Sequence, residues 1–166
     1  MSNRPMRAVL CAALTCGAWA MATPAFAALG GTPTPPPPGA TSAGPTAVMH
    51  AASGAASATV TASYSVTETT LASGTVVREY VSSAGTVFGI AWNGPRMPDL
   101  ATLLGTYFTQ FDSSRAALRA ANPGRGPLDL ELPGLVVRSS GHMGAFSGQA
   151  YLPQSLPAGV SAADIR

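Results

Sequence analysis

Residues 62–92 read ASYSVTETTLASGTVVREYVSSAGTVFGIAW and carry two hairpin signals. Ala72-Ser73-Gly74 and Ser83-Ala84-Gly85 each place a glycine last in a three-residue loop, where a type I turn followed by a left-handed residue needs one. The flanking runs are rich in valine, threonine, tyrosine and phenylalanine, so the stretch predicts a three-stranded antiparallel meander. Loop length then sets the register: Glu68 opposite Arg78, Val66 opposite Tyr80, Tyr80 opposite Phe88, Arg78 opposite Ile90 and Val76 opposite Trp92. One face gathers Val66, Val76, Tyr80, Phe88, Ile90 and Trp92 as a core face. Thr67, Thr69, Val77, Glu79, Val81 and Val87 fall on the other, mixed face, and a slip of one residue exchanges the two. The Glu68–Arg78 pair lies on the apolar face. If it is buried, removing one partner costs several kcal/mol, and at a sheet edge the pair is worth under about 1 kcal/mol.

Downstream, Asn93-Gly94-Pro95 ends the meander and Pro98-Asp99 opens a helix, with proline suited to the first turn and a carboxylate near the positive end of the dipole. Leu100, Leu103, Leu104, Tyr107, Phe108 and Phe111 recur at three- and four-residue spacings and form a stripe for the core. Gly105 lowers helix propensity by about 1 kcal/mol relative to alanine, which suggests close approach to a neighbouring backbone. A second helical piece is expected over 113–121, stopped by Asn122-Pro123-Gly124. The last third returns to strands: LDLEL (128–132), LVVRS (135–139) and AFSGQAYL (145–152). Between the last two, Gly141 to Gly144 places His142 in a tight turn. Ser161 and Asp164 have capping-box spacing, with too little chain after them for a helix to matter.

Upstream, Arg4 and Arg7 precede an apolar run from Ala8 to Ala22, followed by Pro24 and the small-x-small triplet Ala25-Phe26-Ala27. This is the pattern of a secretory signal peptide over 1–27. The run is shorter than the roughly 20 residues that span a bilayer. Residues 28–58, rich in proline, glycine, alanine and serine and containing Pro35 to Pro38 and His50, read as a disordered linker. A single domain is expected over 59–166. Both cysteines, Cys11 and Cys16, lie in the leader, so the exported chain would hold no thiol. Its seven remaining arginines balance seven carboxylates, and with no lysine and no basic cluster the footprint for nucleic acid is missing.

Few residues carry chemistry. His50 and His142 without cysteine fall short of a zinc set, and Asp129 with Glu131 fits the outer face of an alternating strand better than a calcium site. No metal or other cofactor is expected, and no residue is assigned as catalytic or binding. A hydrolase would use His142 with Ser140 or Ser147 and an orienting acid, Asp129 or Glu131, but no G-x-S-x-G elbow is present. A paired-carboxylate hydrolase would draw on Glu68, Glu79, Asp99 or Asp112, of which Glu68 has a partner in Arg78 and Asp99 has a capping role.

The V-R-E-Y string at Val77 to Tyr80, G-P-x-x-P-D-L at Gly94 to Leu100, and G-H-M followed by A-F at Gly141 to Phe146 resemble a family of secreted proteobacterial proteins, domain of unknown function 2844. The likeness includes Ala28-Leu29-Gly30-Gly31 as the mature start. Gly144 and Gln149 stand where the family pattern carries basic residues, which argues against an anion site at the turn. The resemblance implies export and domain extent, and carries no mechanism.

The expected architecture is α+β: an antiparallel sheet of about five strands, the N-terminal meander plus a C-terminal hairpin, packed against one amphipathic helix. The expected role is a non-enzymatic accessory or binding domain, periplasmic or secreted, with an envelope protein as its possible partner. The alternatives are the His142 hydrolase and a carrier of small apolar ligands, which would need a cavity between helix and sheet.

Overall fold

Both glycine-terminated loops form. Leu71 and Thr75 close the first and Ser82 and Thr86 the second, with Gly74 at φ +81° and Gly85 at φ +80°. The computed structural model describes residues 29–49, 62–124 and 126–166. The signal-peptide segment 1–27, His50 and the expected domain start at Thr59 lie outside them.

The described strands are β1 (Thr41–Met49), β2 (Ala62–Thr70), β3 (Val76–Ser82), β4 (Val87–Gly94), β5 (Leu128–Leu132), β6 (Leu135–His142) and β7 (Ala145–Tyr151). They make one antiparallel sheet of seven strands in the order β1-β2-β3-β4-β7-β6-β5. The fold class is α+β as expected, with more strands than the five anticipated. One addition is β1, from the tract read as linker. Gly44-Pro45 falls where the β1–β2 register shifts between Ala43 and Thr46. A bulge in an edge strand is where a sheet tolerates a residue with no N–H to donate.

The β2–β3 register is the expected one, with Val66 opposite Tyr80 and Glu68 opposite Arg78. The β3–β4 register differs. Val81 faces Val87, but Tyr80 then faces Gly89, Arg78 faces Ala91 and Val77 faces Trp92, because Phe88 is an extra residue in a bulge. The expected pairs Tyr80–Phe88, Arg78–Ile90 and Val76–Trp92 are therefore each displaced by one.

Both faces of the sheet are covered, which is why Val87 to Trp92 are buried without alternation. One face, with Val77, Val81, Ile90 and Trp92, packs under the helical segment. That segment comprises α1 (Leu100–Leu104), a 3-10 turn (Gly105–Tyr107) and α2 (Phe108–Ala121). Leu103, Leu104 and Phe111 are buried, and Leu100, Tyr107 and Phe108 pack at their margin, so the predicted stripe meets the core. Gly105 has φ +52° and divides the helix. The other face, with Tyr64, Tyr80, Phe88 and Tyr151, is covered by the C-terminal segment through Val160 and Ile165. The helix thus covers the β3 face expected to be mixed, and the Phe88 bulge turns Ile90 and Trp92, expected beside Tyr80 and Phe88, onto that same side. The Ser161–Asp164 capping box, dismissed from the sequence, holds the 3-10 turn that places Ile165 at 0% exposure.

Candidate ligand-binding cleft

Residues 29–40 form a strap across the helix-covered side, in contrast to the disordered linker expected of them. Leu29 N–H donates to the Leu103 carbonyl at 2.9 Å, Gly30 N–H to the Val87 carbonyl at 2.8 Å, and Val87 N–H to the Gly31 carbonyl at 2.8 Å. Leu29 is buried in the core. From Pro33 to Pro38 the only residue with a backbone N–H is Thr34. That N–H reaches Glu79 and lies 3.1 Å from both of its carboxylate oxygens. The strap then turns at Gly39, φ +79°, and enters β1.

Between the strap, the β2–β3 hairpin and α1 lies a cleft of about 350 Å³. Pro35 to Pro38 form one wall and Leu71, Val77 and Leu103 line the remainder, with the carboxyls of Glu79 and Asp99 and the hydroxyl residues Thr34, Thr69 and Thr102 among them. Volumes of this order mark the small end of ligand pockets, in which apolar walls supply area and a few polar groups fix orientation.

Glu79 is 3% exposed. Burial pushes its pKa above the ordinary glutamate value, and hydrogen bonds from the Thr34 side chain and backbone partly offset that rise. Among the described residues no arginine forms an ion pair with it. Asp99 is held differently. Its carboxylate accepts from the Thr102 hydroxyl at 2.6 Å and from Ala101 N–H at 3.0 Å, as the cap of α1. The Thr102 bond keeps its pKa below the ordinary aspartate value. The cleft therefore joins a buried, hard-to-ionise carboxyl to a firmly ionised one at its rim.

His142 sits at the end of β6, exposed, in the turn to β7, and its Nδ1 lies 3.2 Å from the Met143 carbonyl oxygen. Ser140 and Ser147 face each other across the hairpin, with Oγ atoms 3.3 Å apart. Asp129 and Glu131 both pair with Arg138, at 3.2 and 2.8 Å. The structure thus joins the two serines to one another and the two acids to an arginine, and among the described residues no hydrogen bond links His142 to either group. The Glu68–Arg78 pair, at 2.8 Å, is about two-fifths exposed at each side chain and so is not a buried pair. Among the described residues no group of three or more His, Cys, Asp and Glu side chains converges to hold a metal ion. No described helix is long and apolar enough to cross a membrane.

Residues 25–165 match the profile of a family described as protein of unknown function, DUF2844. The chain belongs to that family. No curated protein and no solved structure matches it. The DUF2844 match spans the strap, the sheet, the helix and the covering C-terminal segment, so every wall of the cleft falls within it. Glu79 was visible in the sequence as the acid within the V-V-R-E-Y-V string. Its place in the cleft has no mark in the sequence, because the proline stretch that shares the cleft with it reads as spacer.

Proposed function

We propose that the protein is an exported, non-enzymatic binding domain, and that its site is the cleft beneath the proline strap. The observation that carries this is the cleft itself, an apolar concavity of about 350 Å³ with one buried carboxyl, walled by three separate parts of the chain. Export to the periplasm or beyond is supported by the Arg4/Arg7 start, the apolar run and the Ala25-Phe26-Ala27 triplet. An envelope protein partner would add to the outer edge of β1 or β5, the terminal strands of the sheet order.

The test is titration with N-phenyl-1-naphthylamine, a neutral apolar dye whose fluorescence rises out of water. A saturable rise is expected for the protein and should be lost in Thr102→Trp, where the indole fills the cleft, provided the melting temperature is retained. A linear, unsaturated response from the unmodified protein would count against a binding role. The hydrolase alternative would replace it if ester or peptide turnover were found and disappeared in His142→Ala.

A further inference from the structure

We propose that the occupant of this cleft is a compact organic cation, an ammonium group on a small apolar body, with the Glu79 carboxylate as its counter-charge. The inference rests on the binding role proposed above and names the class of ligand.

Charge and shape both point this way. The cleft is lined by two carboxyls, Glu79 and Asp99, and by no arginine, in a chain that has no lysine to supply a cation from elsewhere. The other lining residues are Thr, Pro, Leu and Val, so no further titratable group faces Glu79 from the strap, the β2–β3 hairpin or α1. Among the described residues the donors to Glu79 are the N–H and the side chain of Thr34. An ionised carboxylate offers about four lone-pair sites, so acceptor capacity remains for an incoming N–H. A buried carboxylate without a partner is costly, and pairing with a hydrogen-bonded cation restores the ionised form. A hard metal ion asks for six or more oxygen ligands, whereas proline rings, Leu71, Val77 and Leu103 make most of this wall. They suit a hydrocarbon body.

Binding is thereby coupled to proton loss. At a pH where Glu79 holds its proton in the free protein, uptake of an ammonium ion releases that proton, and affinity rises as pH rises through the titration of Glu79. Asp99, already ionised over that range, contributes a constant field.

The experiment compares 2-phenylethylammonium with its neutral counterpart 2-phenylethanol by calorimetry, on the full protein and on Glu79→Gln. The ammonium should bind at least about tenfold more tightly than the alcohol, the ratio expected of a charge-assisted bond. Glu79→Gln should abolish that preference by weakening the ammonium's binding to about the level of the alcohol's. Equal affinity of the two compounds for the unmodified protein would overturn the proposal without need of the variant, as would a preference retained in Glu79→Gln or a heat of binding from calcium chloride with none from the ammonium. In those cases a saturable N-phenyl-1-naphthylamine response leaves the binding role intact and only the ligand class falls. Silence from the dye, the alcohol and the ammonium together removes both.

Discussion

The backbone N–H of Thr34 donates to the Glu79 carboxylate across a separation of 45 residues, 3.1 Å from each oxygen. It ties the proline run of the strap, whose prolines have no N–H to donate, to the buried carboxyl of Glu79 in the sheet beneath it. Replacing Thr34 by proline keeps the chain extended and deletes both of its donors to Glu79, the N–H and the hydroxyl. Leaving a buried acceptor short of its partner should cost about 1–3 kcal/mol. Thr34→Ala, which keeps the N–H and loses the hydroxyl, should cost less. Chemical denaturation of both variants checks the order.

Glu79 also sets a pH dependence. Its pKa in the folded chain is raised above the ordinary value of 4.5, first by burial. Between those two values the folded state keeps a proton that the unfolded state has released. The stability from this group is therefore full below the unfolded value and lost as pH rises through the folded one. In Glu79→Gln that part of the slope should vanish, and the variant should exceed the parent in melting temperature above the window. Asp99 acts in the opposite sense. Its pKa is lowered by the Thr102 bond, so its contribution is present above 3.8 and lost as pH falls through the depressed value. Thermal melts across acid to neutral pH separate the two.

Ile165 fills the space over Gly89. A Cβ on Gly89 would stand 2.7 Å from the Ile165 Cδ1. Gly89→Ala should overpack this contact, at about 1–3 kcal/mol. Ile165→Ala should create a cavity at about 2–5 kcal/mol. In the double variant the Gly89 change should add little, and a double-mutant cycle showing simple additivity would mean that the two residues do not share this space.

Glu68 and Arg78 pair at 2.8 Å while remaining partly exposed. Their coupling in a double-mutant cycle should stay under about 1 kcal/mol and weaken with added salt.

His142 is exposed at a turn with a neighbouring carbonyl for a partner. His142→Ala should shift stability by no more than about 0.5 kcal/mol and leave dye binding in the cleft unchanged. Equilibrium denaturation and the N-phenyl-1-naphthylamine titration read the two effects.

What could be read from residues alone was what neighbours in sequence determine. Gly74 and Gly85 announce their turns because only a left-handed position asks for glycine there. The Leu103/Leu104/Phe111 stripe and the Asp99 cap are likewise local, and they yielded the helix and its buried side. The misreadings involve partners far away. Pro45 obscures β1 because proline is a poor strand former, yet a bulge on an edge strand accepts it. The Phe88 bulge has no sequence mark and displaces the rest of the β3–β4 register. Val66 and Tyr80 were correctly read as apolar-facing, but what covers them is a short tail carrying Ile165, too irregular to show any period. The cleft was hidden for the same reason, since its proline wall is ordered by a bond to a residue 45 positions away.

The sheet order has a temporal side. β4 and β7 join the two halves, so the last of the described strands in chain order is the one inserted in the middle. As the polypeptide emerges N-terminus first, β1 to β4 can assemble while β4 still presents a bare row of N–H and C=O groups, open to mispairing until residues 145–151 arrive. A late pairing step, with the β4 edge open until β7 docks on it, follows from that one adjacency.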